Sequence, residues 1–182
     1  MKLIKDLIVP IKEYATVAED AILFEAVMAL EKAQMEHNKR QYLHRAILVY
    51  DKNDKIVGKV SQLDILRAME PKYKKMGDPE KLSRAGFSQE FLQSMLEKYE
   101  LWDDSFVDVC GKAVSLKVKD IMYKPSEGEY VNEDVSLSEC IHRLVMGHHQ
   151  SLLVTRGEDI VGILRLTDVF NEIVEGMKAC EV

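Results

Sequence analysis

The chain repeats one series of short motifs, once in its first 70 residues and once after residue 116. Each copy contains, in the same order, a Lys-Asp motif, a Val-x-Glu-Asp motif, an apolar run, and an Ile-Val-Gly motif with an aspartate six residues after the glycine. The motifs begin at Lys5, Val17, Ala46 and Ile56 in the first copy and at Lys119, Val131, Ser151 and Ile160 in the second. A repeat of roughly 60 residues indicates a small unit that is duplicated and packs against its copy. We therefore expect a functional site between the copies.

Hydrophobic spacing predicts an α/β (α+β) unit in each copy, in the order strand, helix, strand, strand, helix. In the first copy it predicts a helix over residues 20–37 and a hairpin over residues 46–60. A further helix is predicted from Gln62, and Pro71 marks its end. The second copy predicts a helix over residues 134–146, a hairpin turn over residues 156–159 and a helix over residues 166–178.

The two copies differ in length at one place. Asp20 and Asp134 are offset by 114 residues, whereas Gly58 and Gly162 are offset by 104. The first copy is therefore ten residues longer, mostly around residues 31–41.

Residues 71–116 separate the predicted domains, which span residues 2–70 and 117–178. Ser88 is placed to cap a helix, with Phe87 and Leu92 as a hydrophobic staple. Asp103 or Asp104 is placed to cap the next one. We expect a helical insertion that packs on the module or on a second subunit.

Composition restricts the class of protein. With 182 residues, of which 47% are hydrophobic and 31% charged, the chain can bury an ordinary globular core. The net charge of −6 argues against nucleic acid as the main ligand. No apolar run reaches the ~20 residues that span a bilayer, and no signal peptide is evident, so we expect a cytoplasmic protein without membrane insertion. The three cysteines lack C-x-x-C spacing, which predicts reduced thiols.

Ser61 and Asp64 follow the first hairpin with the spacing of a helix capping box. In the second copy Arg165 replaces the serine, yet Asp168 is retained. A carboxylate kept without its capping hydroxyl favours a binding role as well, since two acceptor oxygens can take both hydroxyls of a ribose.

A second set of polar residues precedes each hairpin, with His44 and Arg45 in the first copy and His149 and Gln150 in the second. Arg45 can bind a phosphate through two donors, and His44 can add another. The set predicts sugar and phosphate contacts at opposite ends of one hairpin.

This motif order resembles the cystathionine-β-synthase (CBS) domain, here as a pair of the kind called a Bateman module. The resemblance implies two pseudo-symmetric CBS repeats with ligand sites in the cleft where their sheets meet, for AMP, ADP, ATP or S-adenosylmethionine. It implies that Asp64 and Asp168 hold the ribose and that Ser61, His44 and Arg45 lie near the phosphates. The segments that it places beside the adenine are Thr16-Val17 and Ala46-Ile47.

Two departures from the family's pattern concern the clefts. Ile47 and Leu152 stand where the family often has proline. Arg165 stands where Thr or Ser is usual, and it either reaches a phosphate or fills the second site. We expect the first copy to be the better nucleotide binder.

These observations predict a non-catalytic regulatory module that requires no cofactor, binds an adenosyl ligand and signals to an unidentified effector protein. No common catalytic motif is present. A structural or surface role is favoured over a metal site for His142, His148 and His149. The alternative function is a dimerising scaffold with empty clefts, whose inserted helices bind a partner.

A homodimer is expected because helix faces in both copies are too apolar to be left in water. The residues of these faces are Leu66, Met69, Val169, Ile173 and Met177.

Overall fold

A computed structural model describes residues 3–36, 44–76 and 86–180. The strands are β1 (Val9–Pro10), β2 (Thr16–Ala18), β3 (Ala46–Tyr50), β4 (Ile56–Ser61), β5 (Tyr130–Asn132), β6 (Ser151–Arg156) and β7 (Asp159–Arg165). The helices are α1 (Leu23–Glu36), α2 (Gln62–Met69), α3 (Gln89–Lys98), α4 (Phe106–Ala113), α5 (Val118–Ile121), α6 (Leu137–Gly147) and α7 (Leu166–Cys180). Short 3₁₀ turns occupy Ile4–Asp6, Ile11–Glu13, Pro71–Met76 and Glu127–Glu129.

The strands form two sheets, in the orders β2-β3-β4 and β1-β7-β6-β5. Strand β2 runs parallel to β3 and β5 runs parallel to β6, while the hairpins β3-β4 and β6-β7 are antiparallel. The predicted order of strand, helix, strand, strand, helix is present in both repeats, which confirms the mixed α/β (α+β) fold class.

The first hairpin turns where the sequence predicts it. The Asp51 carboxylate accepts hydrogen bonds from the backbone N–H of Asn53, at 2.8 Å, and of Lys55, at 3.0 Å. Asp54 adopts a positive φ of 59°, a conformation that aspartate tolerates better than most residues. Local side-chain chemistry therefore fixes this turn.

The predicted first helix begins three residues later than expected, at Leu23. The Glu25 carboxylate accepts the backbone N–H of Ile22 at 2.8 Å, just before the helix. One face of α1 packs against the first sheet, and the resulting core contains Ala26, Leu30, Ala33, Val17, Ile47, Val49 and Val60.

The second repeat has an equivalent core, in which Cys140 and Leu144 of α6 pack against Leu152 and Val154 of β6. Burial raises the pKa of the Cys140 thiol to about 11, so this cysteine is an apolar core residue. Val169 is 4% exposed and also belongs to this core. The prediction that Val169 lies on an exposed face that contacts a second copy is therefore wrong.

The segment that precedes each repeat in the sequence packs on the other repeat. Ile4 lies in the core of the second repeat, and Val9 pairs with Ile163 of β7. Conversely, Val118 lies in the core of the first repeat, and Tyr123 pairs with Lys59 of β4. The two repeats are therefore joined by exchanged segments as well as by surface packing.

A third apolar cluster lies between the two sheets. Leu48 of the first sheet packs there with Leu153 and Ile163 of the second, together with Val9 and Tyr14. All five residues are at most 7% exposed, so the sheets meet through a dry contact.

The described part of the insertion contains the helices α3 and α4, as predicted. The Ser88 hydroxyl accepts the N–H of Phe91 at 3.1 Å, which confirms this residue as the N-cap of α3. Phe87 stacks on Phe91, with ring centroids 5.2 Å apart. The prediction of Asp103 or Asp104 as the next cap is wrong.

That helix, α4, is capped by Ser105, whose hydroxyl accepts the N–H of Asp108 at 3.3 Å. A serine immediately before the first helical residue satisfies an N–H group that the aspartates, one or two positions too early, do not reach.

The second half of the insertion docks on the first repeat. The buried Glu70 carboxylate after α2 accepts the N–H of Trp102 at 2.7 Å and that of Lys72 at 3.0 Å. Leu101, Val109 and Ala113 are buried, and α4 packs against α2. In contrast, α3 has no buried residue.

Candidate functional site

The start of β3 and the start of α2 lie side by side in the first repeat. Ala46 is opposite Ser61 in the hairpin, and the Arg45 carbonyl accepts the N–H of Gln62 at 3.1 Å. The structure therefore brings His44 and Arg45 to the same sheet end as Ser61 and its neighbours in α2.

The second repeat has the same arrangement. Ser151 is opposite Arg165, and the Gln150 carbonyl accepts the N–H of Leu166 at 2.9 Å. His149 and Gln150 thus lie beside the turn that carries Arg165 and Asp168.

Ser61 and Asp64 form the predicted capping box. The Ser61 hydroxyl accepts the Asp64 N–H at 3.1 Å, while the Ser61 N–H and hydroxyl both donate to Asp64 Oδ2, at 2.8 and 2.6 Å. Asp64 Oδ1 lies 3.8 Å from an Arg67 guanidinium nitrogen. The cap therefore engages one carboxylate oxygen and leaves the second in a weaker contact.

Arg165 and Asp168 form a different contact at the equivalent position. Arg165 Nε donates to Asp168 Oδ2 and Nη2 donates to Oδ1, both at 2.6 Å. The side chains are 7% and 15% exposed. Burial lowers the pKa of Arg165, but its bonds to Asp168 outweigh this and raise the pKa. Both carboxylate oxygens of Asp168 are engaged by one planar cation.

Tyr14 connects the two repeats at this place. Its ring lies against the His44 ring, with centroids 4.2 Å apart. Burial raises the pKa of the Tyr14 hydroxyl to about 12, and the charges of Arg165 and Asp168 also act on it. Tyr14 therefore contacts the first site's residues within reach of the second site's charges.

Sequence reasoning missed Tyr14 because it has no counterpart in the repeat. At the 114-residue offset the equivalent residue is Gly128. The signal in the sequence is an aromatic residue just before β2.

The two histidines, equivalent in sequence, lie in different surroundings. His44 is 1% exposed. His149 is half-buried, and its Nε2 lies 2.0 Å from the position that a Cβ would take on Gly147. Arg45 and Gln150 are exposed.

The residues predicted to flank the adenine divide between two faces of the first sheet. Val17 and Ile47 lie in the core under α1. Because side chains alternate along a strand, Thr16 and Ala46 point to the opposite face, toward the second repeat. Of the four residues predicted to flank the adenine, Thr16 and Ala46 have side chains on the face toward the second repeat, and Val17 and Ile47 do not.

A second polar cluster, not predicted from the sequence, lies between the repeats. Lys59 Nζ is 2.5 Å from Glu129 Oε2, and the Tyr123 hydroxyl donates to Oε1 at 2.6 Å. The Ser126 N–H donates to the same oxygen at 3.0 Å. Burial raises the pKa of Glu129, but these donors together lower it below the usual value.

The described residues contain no group of three or more side chains suited to hold a metal ion. His142 and His148 are exposed, and His148 caps α6 in a left-handed conformation with a φ of 52°. Within residues 3–36, 44–76 and 86–180, no helix has the length and hydropathy needed to cross a bilayer.

Two repeats with exchanged leading segments, each with an acidic residue in the first turn of its last helix, define a tandem α/β module. The model of the CBS domain family matches residues 4–71 and 118–175. These regions make up more than half of the chain, so the protein belongs to the CBS domain family and contains a tandem pair of these domains. A search of curated protein sequences gave no significant match.

Solved structures share this fold at low sequence identity. The chain resembles CBSX2 in complex with AMP, with a TM-score of 0.58, 17% identity and coverage of 96% of this chain and 98% of the other. It also resembles the CBS domain of a bacterial CNNM/CorC family Mg2+ transporter in complex with ATP, with a TM-score of 0.59, 16% identity and coverage of 95% and 87%.

A protein from Methanocaldococcus jannaschii is similar with a TM-score of 0.57 and 20% identity over 96% of this chain. The chain spans 60% of the length of that relative.

Proposed function

We propose that the protein is a non-catalytic regulatory module that binds an adenine nucleotide or another adenosyl ligand between its CBS repeats and signals to a partner protein. The observation that carries this proposal is the position of Asp64, which lies at a helix start beside the polar residues that precede β3. Its support is membership in the CBS domain family and the likeness to structures in complex with AMP and ATP.

In this proposal Asp64 binds the ribose through its carboxylate. Ser61, His44 and Arg45 bind the phosphates, and Arg45 is already exposed. His44 is buried against Tyr14, so a contact from its imidazole to a phosphate requires the two rings to separate.

The adenine lies against the face of the first sheet that carries Thr16 and Ala46. Val17 and Ile47 contribute through backbone atoms, because their side chains belong to the core. The proposal requires no cofactor and no catalytic group.

The module acts as a cytoplasmic homodimer in this proposal. Leu66 of α2 and Phe170 of α7 are 55% and 62% exposed and occupy equivalent positions in the two repeats. Such a pair of apolar residues on related helices suits a symmetric contact with a second copy.

Ligand binding is tested by thermal unfolding with AMP, ADP, ATP and S-adenosylmethionine, followed by calorimetric titration. A ligand that binds only the folded state stabilises it by about 2.7 kcal/mol at 100 times its dissociation constant. CMP serves as the control, since it has the same ribose and phosphate without adenine. An equal response to AMP and CMP, or no response to any adenosyl ligand, contradicts the proposal.

A second candidate function is a scaffold whose inserted helices bind a partner while the clefts stay empty. It is favoured by α3, where Phe91, Leu92 and Leu96 are 46%, 49% and 41% exposed. Failure of every adenosyl ligand, with preserved self-association, would support the scaffold instead.

A further inference from the structure

The second repeat already holds a planar donor at the place where a ribose would bind. The guanidinium of Arg165 donates from Nε and Nη2 to the two oxygens of Asp168, at 2.6 Å each. Two vicinal hydroxyls would approach a carboxylate with the same forked geometry, one hydroxyl to each oxygen. Arg165 and a ribose therefore compete for the same edge of Asp168.

In the first repeat, only one of the two carboxylate oxygens of Asp64 accepts a short hydrogen bond. Ser61 donates only to Oδ2 of Asp64, and Oδ1 is 3.8 Å from Arg67. A contact at 3.8 Å is too long for a hydrogen bond, so a hydroxyl can take this oxygen without displacing a short bond. The two aspartates are equivalent in sequence but differ in their capacity to accept a ligand.

Burial makes the Arg165 contact costly to open. Arg165 and Asp168 are 7% and 15% exposed in their side chains, compared with 31% for Arg67. A ligand that displaced Arg165 would leave a cation in a largely water-free site without this carboxylate. Exchange of the guanidinium for two neutral hydroxyls is therefore unfavourable.

Tyr14 places this pair beside the first site. Its hydroxyl is buried where the charges of Arg165 and Asp168 act on it, and its ring lies against the His44 ring at an angle of 42°. Tyr14 thus contacts His44 of the first site and is close enough to the Arg165–Asp168 pair to be affected by its charges.

We infer that Arg165 is an internal occupant of the second cleft and limits the module to one adenosyl ligand per chain, bound at the first repeat. This inference rests on the proposed function for the identity of the ligand. It concerns the number of ligands that one chain binds, which the proposed function leaves open.

The test is calorimetric titration of the full chain with AMP and, separately, with ATP. Arg165→Ser gives the second repeat the serine that the first repeat has, and Ser61→Arg makes the reverse exchange. The wild type is expected to bind one ligand per chain, Arg165→Ser two, and Ser61→Arg none. Adding Asp64→Ala to Arg165→Ser should weaken one of the two sites roughly ten- to a hundredfold and leave the other unchanged, which locates the new site outside the first repeat. Thermal unfolding of each variant verifies that it is folded.

The outcomes separate this inference from the proposed function. Two ligands per wild-type chain, or one in both the wild type and Arg165→Ser, overturn the internal occupant and leave nucleotide binding intact. No binding to the wild type with one ligand bound to Arg165→Ser supports the internal occupant and contradicts the first repeat as the site. No binding to any variant overturns both. If Arg165→Ser fails to fold, Ser61→Arg is compared with Ser61→Ala, which removes the serine without adding an arginine: weaker binding to Ser61→Arg than to Ser61→Ala supports the inference, and equal binding to the two overturns it.

Discussion

The ammonium group of Lys59 lies 2.5 Å from a carboxylate oxygen of Glu129 and joins the first sheet to the segment that enters the second. The Lys59 backbone also pairs with Tyr123, with hydrogen bonds of 2.9 and 2.8 Å. The related contact on the other side of the module is apolar, since Val9 pairs with Ile163 there. The two exchanged segments are therefore held by different chemistry, one ionic and one hydrophobic.

The first prediction is that Glu129→Gln lowers the free energy of unfolding at pH 7 by about 1.5–3 kcal/mol, the range for a lost hydrogen bond to a charged group. Lys59 loses its anionic partner, while the amide oxygen still accepts from Tyr123. Urea unfolding measures the change. Glu133→Gln is the control, because its partner Arg156 is 70% exposed and a surface pair contributes about 0–1 kcal/mol. If both variants lost the same free energy of unfolding, burial of the Lys59–Glu129 pair would not explain its contribution.

The second prediction concerns pH. Burial opposes ionisation of Glu129, but the bonds from Lys59, Tyr123 and Ser126 lower its pKa below the usual value. Because the folded-state pKa is the lower one, the stabilisation is complete above the unfolded-state pKa of about 4.3 and is lost as pH falls through the folded-state pKa. The stability difference between wild type and Glu129→Gln should narrow in acid. A constant difference from neutral pH to pH 3 would show that the charge has no role.

The third prediction is that Asp64→Ala weakens adenosyl ligand binding roughly ten- to a hundredfold, because charge-assisted hydrogen bonds worth about 1.5–3 kcal/mol are removed. The same change removes the capping box and lowers stability by about 1 kcal/mol. Calorimetric titration and urea unfolding measure the two effects separately. Asp168→Ala is the matched control and should weaken ligand binding at the first repeat less than Asp64→Ala does. A variant that unfolds earlier but binds with parental affinity would leave Asp64 with a capping role alone.

The sequence repeat was sufficient to predict most of the local structure. Ser61 and Ser88 cap helices as expected, and the turn after Tyr50 forms from its own polar side chains. These features depend on residues within a few positions of one another. The capping residue of α4 was misplaced because Ser105 and the two preceding aspartates are all suitable types, and only the backbone selects among them.

The features that sequence reasoning missed depend on contacts across the repeats. Val169 looked exposed from helical spacing alone, although it lies in the core. Tyr14 and the Lys59–Glu129 pair acquire their surroundings from segments exchanged between the copies. Arg165 had two open roles in the sequence, and its contact with both oxygens of Asp168 is the observation on which its inferred role as an internal occupant rests.

The fourth prediction is that Gly162→Ala destabilises the protein by about 1–3 kcal/mol, the cost typical of overpacking. A Cβ at this position would lie 2.6 Å from the Val9 carbonyl oxygen, so the exchanged segment must move. Gly176→Ala in α7 is the control, since among the described residues no atom beyond its chain neighbours and the backbone of its own helix lies within 4 Å of its Cβ position. That change should stabilise the protein by about 0.5–1 kcal/mol through helix propensity. Urea unfolding of both variants measures the contrast, and destabilisation by both would contradict the packing argument.

The fifth prediction is that the protein sediments as a dimer at micromolar concentration rather than as the monomer of 20.9 kDa. Leu66→Glu and Phe170→Glu should each shift it toward the monomer, because a charge would be buried at the contact between copies. Phe91→Glu is the matched control on the insertion, where the side chain is 46% exposed. It should leave the dimer unchanged if α2 and α7 form the contact. Dissociation by Phe91→Glu alone would instead assign self-association to the inserted helices, and a wild-type monomer would contradict the homodimer itself.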